Sequence, residues 1–324
     1  MTYLIYGAGT IGITYAWLLS QKHDVDILVQ PERLDDAKKG FVIHAKDLRK
    51  QASQYETATF SPNCVTQISR QYDGILVCVN RCDLKSALPD LVRHQHLTGY
   101  FAFLQNHWHI QAELNEFLNK EKTVIAFPSS VGGGRDGTHI EVIVFAEATR
   151  LGGECQHGIS DLTTALNHVG IKTQYDKHIY DWLKVHYLQQ SITAGAVLEK
   201  GSFLAFATDA KAVKKMIVAF REGIKVCRLQ GVPVYKIFPA YLFQLPLFLL
   251  TPMMQKMLLN HNTTEMVNNH MKQGLSEWIA GYQEVLQDGI ALGEPMTTWQ
   301  SYQRFVDGYL DGLPKNSEVR EIVY

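Results

Sequence analysis

Short apolar runs alternate with amphipathic helical stretches through the first half of the chain. A helical run follows directly on the first of the predicted strands, which cover 1–6, 24–30, 72–80, 99–106 and 122–130. From about residue 175 the strand-like runs stop, and the 3.6-residue period predicts long helices over 179–198, 208–230, 263–291 and 297–312. This order predicts an α/β protein, with an N-terminal Rossmann-type parallel sheet over residues 1–174 and a C-terminal all-helical domain over residues 175–324.

The hexapeptide GAGTIG follows directly on the first predicted strand. Its glycines have the GxGxxG spacing, and a strand, a glycine turn, a helix and a second strand follow one another within about 30 residues. In such a unit the first glycine allows the tight turn, the second lets the backbone approach a pyrophosphate, and the third lets helix and strand pack closely. The N–H groups at the helix start face the phosphates. The sequence therefore predicts a dinucleotide-binding turn formed by Gly7, Ala8, Gly9, Thr10, Ile11 and Gly12.

The end of the second predicted strand bears on the choice of cofactor. NAD-binding units usually carry an acidic residue there, which binds the ribose 2′-hydroxyl. This strand instead ends at Gln30, with Glu32 and Arg33 close behind. Arg33 favours a 2′-phosphate, whereas the Glu32 carboxylate would repel one. NADPH is the predicted cofactor, and NAD stays open as the alternative.

Polar or glycine residues also follow the other predicted strands. In an open parallel sheet, ligands collect at the carboxyl ends of the strands. Asn80 and Arg81 end one strand, Asn106 ends the next, and the glycines 132–134 follow the last. The predicted cofactor contacts, beyond the glycine turn, are therefore Gln30, Arg33, Asn80, Arg81, Asn106 and Gly133.

The composition of the chain argues against two classes of binding partner, nucleic acids and acidic membranes. The chain is 46% hydrophobic and 19% charged, with a formal net charge of -1. This profile predicts no nucleic-acid partner and no attraction to acidic membranes. The first strand has no basic leader before it, so no secretory signal is expected, and the five scattered cysteines favour reduced thiols in the cytoplasm.

Two short motifs were considered as metal ligands. His107 and His109 form an HxH pair after Asn106, and Cys78 and Cys82 are four residues apart. Neither pair has further ligands at a suitable spacing, so no metal site is predicted.

The apolar stretch 237–259 contains three prolines and is predicted to form broken helices rather than a membrane span. Such helices would cover an apolar cleft or form a subunit contact. An exposed part of them would support a homodimer.

Lys184 lies in an otherwise apolar and aromatic helical stretch. Its predicted helix face is mixed, with Tyr180, Asp181, Lys184, Tyr187, Leu188 and Ser191. The lysine could be solvated and paired with Asp181. It could equally point into a cleft and protonate the alkoxide that forms when a hydride reaches a ketone. The pattern alone leaves both interpretations open.

Four segments together resemble the ketopantoate reductase family (2-dehydropantoate 2-reductases). They are GAGTIG, the LQN that ends at Asn106, the WLKV around Lys184, and the late GYQEVLQDGIALGEP. The resemblance implies an NADPH-dependent reductase with its reaction in the cleft between a Rossmann-type and a helical domain. It also implies that Lys184 is the proton donor and that Asn106 holds cofactor and substrate.

The chain departs from that family most clearly in the substrate residues. The family's two asparagines beyond the catalytic lysine correspond to Leu188 and Ile192, and its acidic position falls on Leu275. Buried leucine and isoleucine at these positions would favour a more apolar substrate. The predicted substrate contacts are Lys184, Ser191 and Glu277.

The cofactor positions differ from the family too: Asn80 replaces a lysine, and Gln30 an arginine. Other polar residues of the late helix, including Asn268, Asn269, His270, Glu277 and Glu284, are mostly expected on its solvated face.

Three hypotheses follow. The leading one is reduction of ketopantoate to pantoate, a small 2-oxo acid reaction of pantothenate biosynthesis. The second is reduction of a bulkier, more apolar 2-oxo acid or ketone. The third is a non-catalytic NADP-binding sensor on the same scaffold, because fold alone does not fix function.

Overall fold

The computed structural model describes residues 1–50 and 54–313. The chain divides into two compact units, Met1–Ile179 and Tyr180–Tyr324. The predicted domains, 1–174 and 175–324, divide it a few residues earlier.

The described strands belong to the first unit. They are β1 (Thr2–Tyr6), β2 (Asp24–Leu28), β3 (Phe41–Asp47), β4 (Tyr55–Phe60), β5 (Asn63–Val65), β6 (Tyr72–Val77), β7 (Thr98–Phe103), β8 (Thr123–Phe127), β9 (Val131–Asp136), β10 (His139–Val144), β11 (Thr149–Gly153) and β12 (Thr173–Tyr175). The helices of this unit are α1 (Thr10–Leu19), α2 (Leu34–Lys38), α3 (Arg81–Arg93), α4 (Ile110–Phe117) and α5 (Gln156–His168).

Eight strands form the main sheet, in the order β12-β11-β8-β7-β6-β1-β2-β5. Neighbouring strands run parallel except β11, which is antiparallel to β8. The five predicted strands all lie in this sheet, and their interiors are nearly continuous buried apolar runs, as expected when a parallel sheet is covered on both faces. The predicted fold class is confirmed.

A second sheet, in the order β4-β3-β10-β9, was not predicted. The glycines 132–134, predicted to follow the last strand, lie in β9 and pair residue by residue with β10. They allow close strand packing, and the cofactor contact of Gly133 stays a prediction. A side chain at Gly133 would collide with the Glu141 carbonyl of β10.

Helix α1 contacts both sheets, packing on β1 and β2 and on β9 and β10. A buried hydroxyl cluster fixes it. The Tyr15 hydroxyl lies 2.8 Å from Thr149 Oγ1 and 3.1 Å from Ser130 Oγ, and the last two atoms are 2.8 Å apart. Burial raises the pKa of Tyr15 to about 12, so the phenol stays protonated and available as a donor. The start of α1 is thereby held at a fixed position above β1.

Residues 180–313 contain helices and no strand. The α-helices are α6 (Ile179–Lys200), α7 (Phe203–Thr208), α8 (Ala210–Leu229), α9 (Leu247–Leu258), α10 (His261–Ala291) and α11 (Thr297–Asp311). The four predicted long helices are confirmed, with ends displaced by a few residues. Trp299 of α11 joins its neighbours: the ring stacks on Tyr282 of α10 at 5.3 Å, and its Nε1 donates to the Ala219 carbonyl of α8.

The apolar stretch 237–259 is broken as predicted. A 3-10 helix at Ala240–Gln244 precedes α9, and Pro246 separates the two. Within residues 1–50 and 54–313, no helix is both long and apolar enough to cross a membrane.

Candidate cofactor and active-site residues

The turn between β1 and α1 has room only for glycine at two of its positions. Gly7 has φ +113°, and a Cβ there would lie 2.9 Å from the Cys78 carbonyl carbon and the Val79 nitrogen at the end of β6. A Cβ at Gly12 would collide with the Gly7 carbonyl oxygen. The chain's own backbone therefore dictates both glycines.

Gly9 differs from these two. It is the N-cap of α1 with extended backbone, its φ is -80°, and no atom lies within 4 Å of a Cβ built on it. No side chain caps the helix start. Open space beside Gly9 and a helix start lacking a side-chain cap fit the diphosphate of a dinucleotide, because helix-start N–H groups bind anions. Ala8, Thr10 and Ile11 complete this turn as predicted.

The predicted residues at the ends of β6 and β7 lie on adjacent strands. Leu104 N–H donates to the Val77 carbonyl, and Gln105 Nε2 donates to the Val79 carbonyl at 2.7 Å. These bonds join the segment that carries Asn106 to the segment that carries Asn80. Asn80 is the exposed N-cap of α3, Arg81 is its first residue, and Asn106 is half-buried. The sequence correctly placed all three at one edge of the sheet.

The end of β2 carries Gln30 and Arg33, both exposed, with Arg33 in the 3-10 helix Pro31–Arg33. Sequence reasoning missed a third candidate, Arg135. Its Nη1 donates to the Ala8 carbonyl of the glycine turn, and its Nε donates to the Gly137 carbonyl at 2.6 Å. The only signal for Arg135 was its position directly after the glycine run.

His107 is engaged within its own segment. Its Nδ1 accepts the His109 N–H at 2.9 Å, and its Nε2 lies 3.3 Å from Glu113 Oε2. A ring nitrogen that accepts from backbone leaves the other to carry the proton, and hydrogen bonding from His107 lowers the pKa of Glu113. Among the described residues, no group of three or more His, Cys, Asp and Glu side chains could hold a metal ion.

Lys184 projects from α6 to the C-terminal end of α8. Its Nζ donates to Gln230 Oε1 at 2.5 Å, and Gln230 Nε2 donates to Asp288 Oδ2 of α10 at 2.7 Å. Cys227 is fully buried beside it, and burial raises the pKa of that thiol to about 12. The lysine is half-buried and oriented by a side-chain acceptor, as a proton donor requires. The sequence gave no sign of Gln230, which lies 46 residues away.

The predicted substrate residues Ser191 and Glu277 lie on α6 and α10 of the helical unit. Ser191 is fully buried, and its Oγ donates to the Tyr187 carbonyl at 2.7 Å. A Cβ on Gly281 would lie 2.5 Å from Ser191 Oγ. Glu277 is half-buried, one helical turn before Gly281. Ser191 thus packs in the helical core, so its role in binding substrate stays a prediction with little geometric support.

Glu284 does not lie on a solvated helix face. It is half-buried and accepts the Tyr187 hydroxyl at 2.9 Å, so the expectation of a solvated face is wrong for this residue. Four residues separate it from Asp288, which places both carboxylates on the side of α10 that faces α6 and α8. The side chains of Asn268, Asn269 and His270 lie outside the described part of the chain.

Leu188 and Ile192 occupy the helical core. Both are fully buried, and a Cβ on Gly223 of α8 would lie 2.7 Å from Leu188 Cδ2. Leu188 therefore packs against α8, and the expectation that it shapes a more apolar substrate pocket has no support in this contact. An asparagine there would bury an amide in an apolar contact at a cost in stability.

The sequence comparison supports the same chemistry. Residues 3–153 match the model of the family described as Ketopantoate reductase PanE/ApbA. This part of the chain is similar to that family. The resemblance predicted from GAGTIG and LQN is thereby confirmed over these residues. Members of this family are oxidoreductases that act on CH–OH groups. No curated protein sequence matches the chain.

Solved structures with the same fold cover nearly the whole chain. A PanE/ApbA family ketopantoate reductase from Ralstonia eutropha is 16% identical, with 96% of this chain and 99% of that chain covered and a TM-score of 0.70. A D-mandelate dehydrogenase bound to NADH and anilino(oxo)acetate is 14% identical, with 96% and 99% covered and a TM-score of 0.72. A dimeric ketopantoate reductase from Staphylococcus aureus is 13% identical, with 95% and 99% covered and a TM-score of 0.60. These identities establish a shared fold rather than a shared substrate.

Proposed function

We propose that the chain is an NADPH-dependent reductase of a 2-oxo acid, with ketopantoate as the leading substrate and pantoate as the product for pantothenate biosynthesis. The observation that carries the proposal is Lys184, an amine oriented by Gln230 in a chain whose residues 3–153 match the ketopantoate reductase family model. An oriented ammonium is the group that a developing alkoxide needs.

The first unit holds the cofactor in this proposal. Gly7 and Gly12 shape the turn, and the open backbone at Gly9 takes the diphosphate. Arg33, with Gln30 beside it, takes the phosphorylated ribose. Asn80, Arg81 and Asn106, at the ends of β6 and β7, take the remainder of the cofactor, and Asn106 also holds the substrate.

The cofactor supplies the hydride that reduces the C2 carbonyl carbon. Lys184 donates a proton from Nζ to the carbonyl oxygen, which completes the hydroxyl, and the neutral amine is reprotonated from solvent. Gln230 holds Nζ in one orientation and links it to Asp288 of α10. Glu277 is kept as a second substrate contact, and Ser191 as a weaker one.

A second substrate class is a bulkier or aromatic 2-oxo acid. Leu188 and Ile192 replace the two amides that the resemblance leads one to expect. The structure of D-mandelate dehydrogenase with a similar fold contains anilino(oxo)acetate, which joins an aromatic ring to an oxoacetate group. A chain without those amides binds a small hydroxylated 2-oxo acid through fewer hydrogen bonds.

We also propose a homodimer that works in the cytoplasm. Several large apolar side chains around α9 are exposed, including Phe248 at 76%, Met253 at 54% and Phe238 at 53%. Exposed apolar groups of this size favour burial against another surface. The ketopantoate reductase from Staphylococcus aureus is dimeric. The five cysteines are all free thiols, as in a reducing compartment. Sedimentation velocity of wild type and Phe248→Glu tests the dimer, and a monomeric wild type would contradict it.

The test of function follows the loss of reduced-nicotinamide absorbance with NADPH and a panel of 2-oxo acids. Ketopantoate and an aromatic 2-oxo acid are compared at equal concentrations by kcat/KM. Higher kcat/KM for ketopantoate supports the leading proposal, and higher kcat/KM for the aromatic acid favours the second class. NADPH binding without turnover of any 2-oxo acid would contradict both and favour the sensor.

A further inference from the structure

Arg135 is fixed against the glycine turn by three contacts. Its Nη1 donates to the Ala8 carbonyl, its Nε donates to Gly137, and its guanidinium lies over the Phe41 ring at 5.6 Å from the centroid. Phe41 is itself 1% exposed. A guanidinium that is already held at one end by backbone and on its face by a buried ring loses little further conformational freedom when it binds a ligand.

The charge of Arg33 acts on the same place. Phe41, whose ring Arg135 covers, begins β3, the strand that follows the Arg33 segment and α2 in the chain. In addition to burial, the positive charge of Arg33 lowers the pKa of Arg135. Arg33 follows β2, and Arg135 is the penultimate residue of β9, so two separate sheets deliver the two cations. Two like charges repel, and an anion bound near both relieves that repulsion.

The ligand chemistry follows from the position. At the glycine turn, the first anion would be the diphosphate proposed to lie at Gly9. The carbonyl that Arg135 binds belongs to Ala8, directly before Gly9. Arg33 lies just after β2, where dinucleotide-binding folds place the residue that contacts the adenine ribose. A phosphomonoester on that ribose would bring two negative charges to the pair of arginines.

We propose that Arg135 is a specificity-determining residue that, together with Arg33, selects a dinucleotide with a phosphate on the adenine ribose. The inference rests on the proposed function only in its choice of NADPH and deepens that choice. The positive charge of Arg135 also offsets the repulsion that a ribose phosphate would meet from the exposed Glu32 carboxylate. On this account the second sheet serves the cofactor, because β9 carries Arg135 to the turn.

A purely structural role for Arg135 makes a different prediction. If its bond to Ala8 only holds the turn, its loss weakens all dinucleotides alike. If it selects the phosphate, its loss weakens NADPH and spares NADH. Direct binding separates the two roles without any need for turnover.

The experiment measures the Kd of NADPH and of NADH by reduced-nicotinamide fluorescence for wild type, Arg135→Gln, Arg33→Gln and the control Arg93→Gln. Arg93 is an exposed residue in the last turn of α3. We expect Arg135→Gln to raise the Kd of NADPH by about ten- to hundredfold, the range for a lost charge-assisted hydrogen bond, with the Kd of NADH unchanged. Equal loss for both cofactors, or no loss for either, would overturn the inference.

Two further arms keep the result decisive. Wild type should bind adenosine 2′,5′-bisphosphate more tightly than adenosine 5′-monophosphate, which tests phosphate selection even if Arg135→Gln fails to fold. Arg135→Lys should then keep part of the preference. A wild type that binds both mononucleotides and both dinucleotides equally would overturn the inference and the NADPH assignment together. Preference for NADPH that survives in Arg135→Gln would overturn the inference alone.

Discussion

Lys184 Nζ lies 2.5 Å from Gln230 Oε1, and this contact joins helix α6 to the end of α8. Gln230 passes the interaction on to Asp288 at 2.7 Å. Gln230 thus orients the ammonium group of Lys184, as proton donation to a developing alkoxide requires.

The first prediction concerns Gln230 as a positioning residue. Gln230→Leu should lower kcat by about ten- to hundredfold with little change in KM, because a hydrogen bond to a charged group contributes about 1.5–3 kcal/mol. Gln230→Glu restores an acceptor and should recover part of kcat. Steady-state kinetics check this, with Gln287→Leu, an exposed position of α10, as the control. Wild-type kcat in Gln230→Leu would refute the positioning role.

The second prediction separates two glycines of one turn. Gly12→Ala should destabilise the protein itself, because the new Cβ meets the Gly7 carbonyl. Gly9→Ala should fold with wild-type stability, since its Cβ has open space, yet bind dinucleotide more weakly by at least about tenfold. Urea unfolding and cofactor titration together check both. Unchanged affinity in a folded Gly9→Ala would show that no diphosphate approaches that backbone.

Much of this turn could be predicted from sequence because its signal is local. GAGTIG, the strand before it and the helix after it lie within one short segment, and each glycine has a role that neighbouring backbone enforces. The structure of the glycines 132–134, in contrast, could not be predicted from local sequence. A glycine run by itself is typical of a turn, and only the pairing with β10 shows that these residues form a strand.

Gln230 and Arg135 could not be found from sequence because their partners are distant along the chain. Lys184 and Gln230 are 46 residues apart, and Arg135 and Ala8 are 127 apart. Nothing in local periodicity reports such pairs. The sequence shows that Leu188 departs from the family pattern. Its packing on Gly223 could not be predicted, because that contact depends on how α6 packs against α8.

A third prediction tests the packing of α6 on α10. Gly281→Ala should lower the free energy of unfolding by about 1–3 kcal/mol, because its Cβ would lie 2.5 Å from Ser191 Oγ and 2.9 Å from the Tyr187 hydroxyl. Gly308→Ala is the matched control, at an exposed position of α11. No atom lies near its Cβ, so it should raise the free energy by about 0.5–1 kcal/mol through helix propensity. If chemical denaturation showed that Gly281→Ala stabilises the protein as Gly308→Ala does, the tight contact between α6 and α10 would be contradicted.

The fourth prediction is a pH dependence. The hydrogen bond from His107 lowers the pKa of Glu113 in the folded state, so the unfolded chain takes up this proton first as pH falls. The stabilisation is therefore present above the ordinary glutamate pKa of 4.5 and is lost as pH falls through the lowered folded value. Wild type should be more stable than Glu113→Gln at neutral pH, and the difference should shrink in acid.

Urea unfolding across that pH range checks this, with Glu116→Gln, an exposed position of the same helix α4, as the control. A wild-type advantage over Glu113→Gln that stays constant down to the lowest pH would contradict the link to His107.

The central claim is that Lys184 supplies the proton in a reduction driven by NADPH. The most direct measurement compares wild type, Lys184→Ala and the exposed control Lys211→Ala for cofactor Kd and for kcat with the best 2-oxo acid. The account predicts that Lys184→Ala keeps the wild-type Kd for NADPH and loses kcat by about 10²–10⁴-fold, the usual contribution of a general acid. Lys211→Ala should match wild type in both. Wild-type kcat in Lys184→Ala would contradict the account.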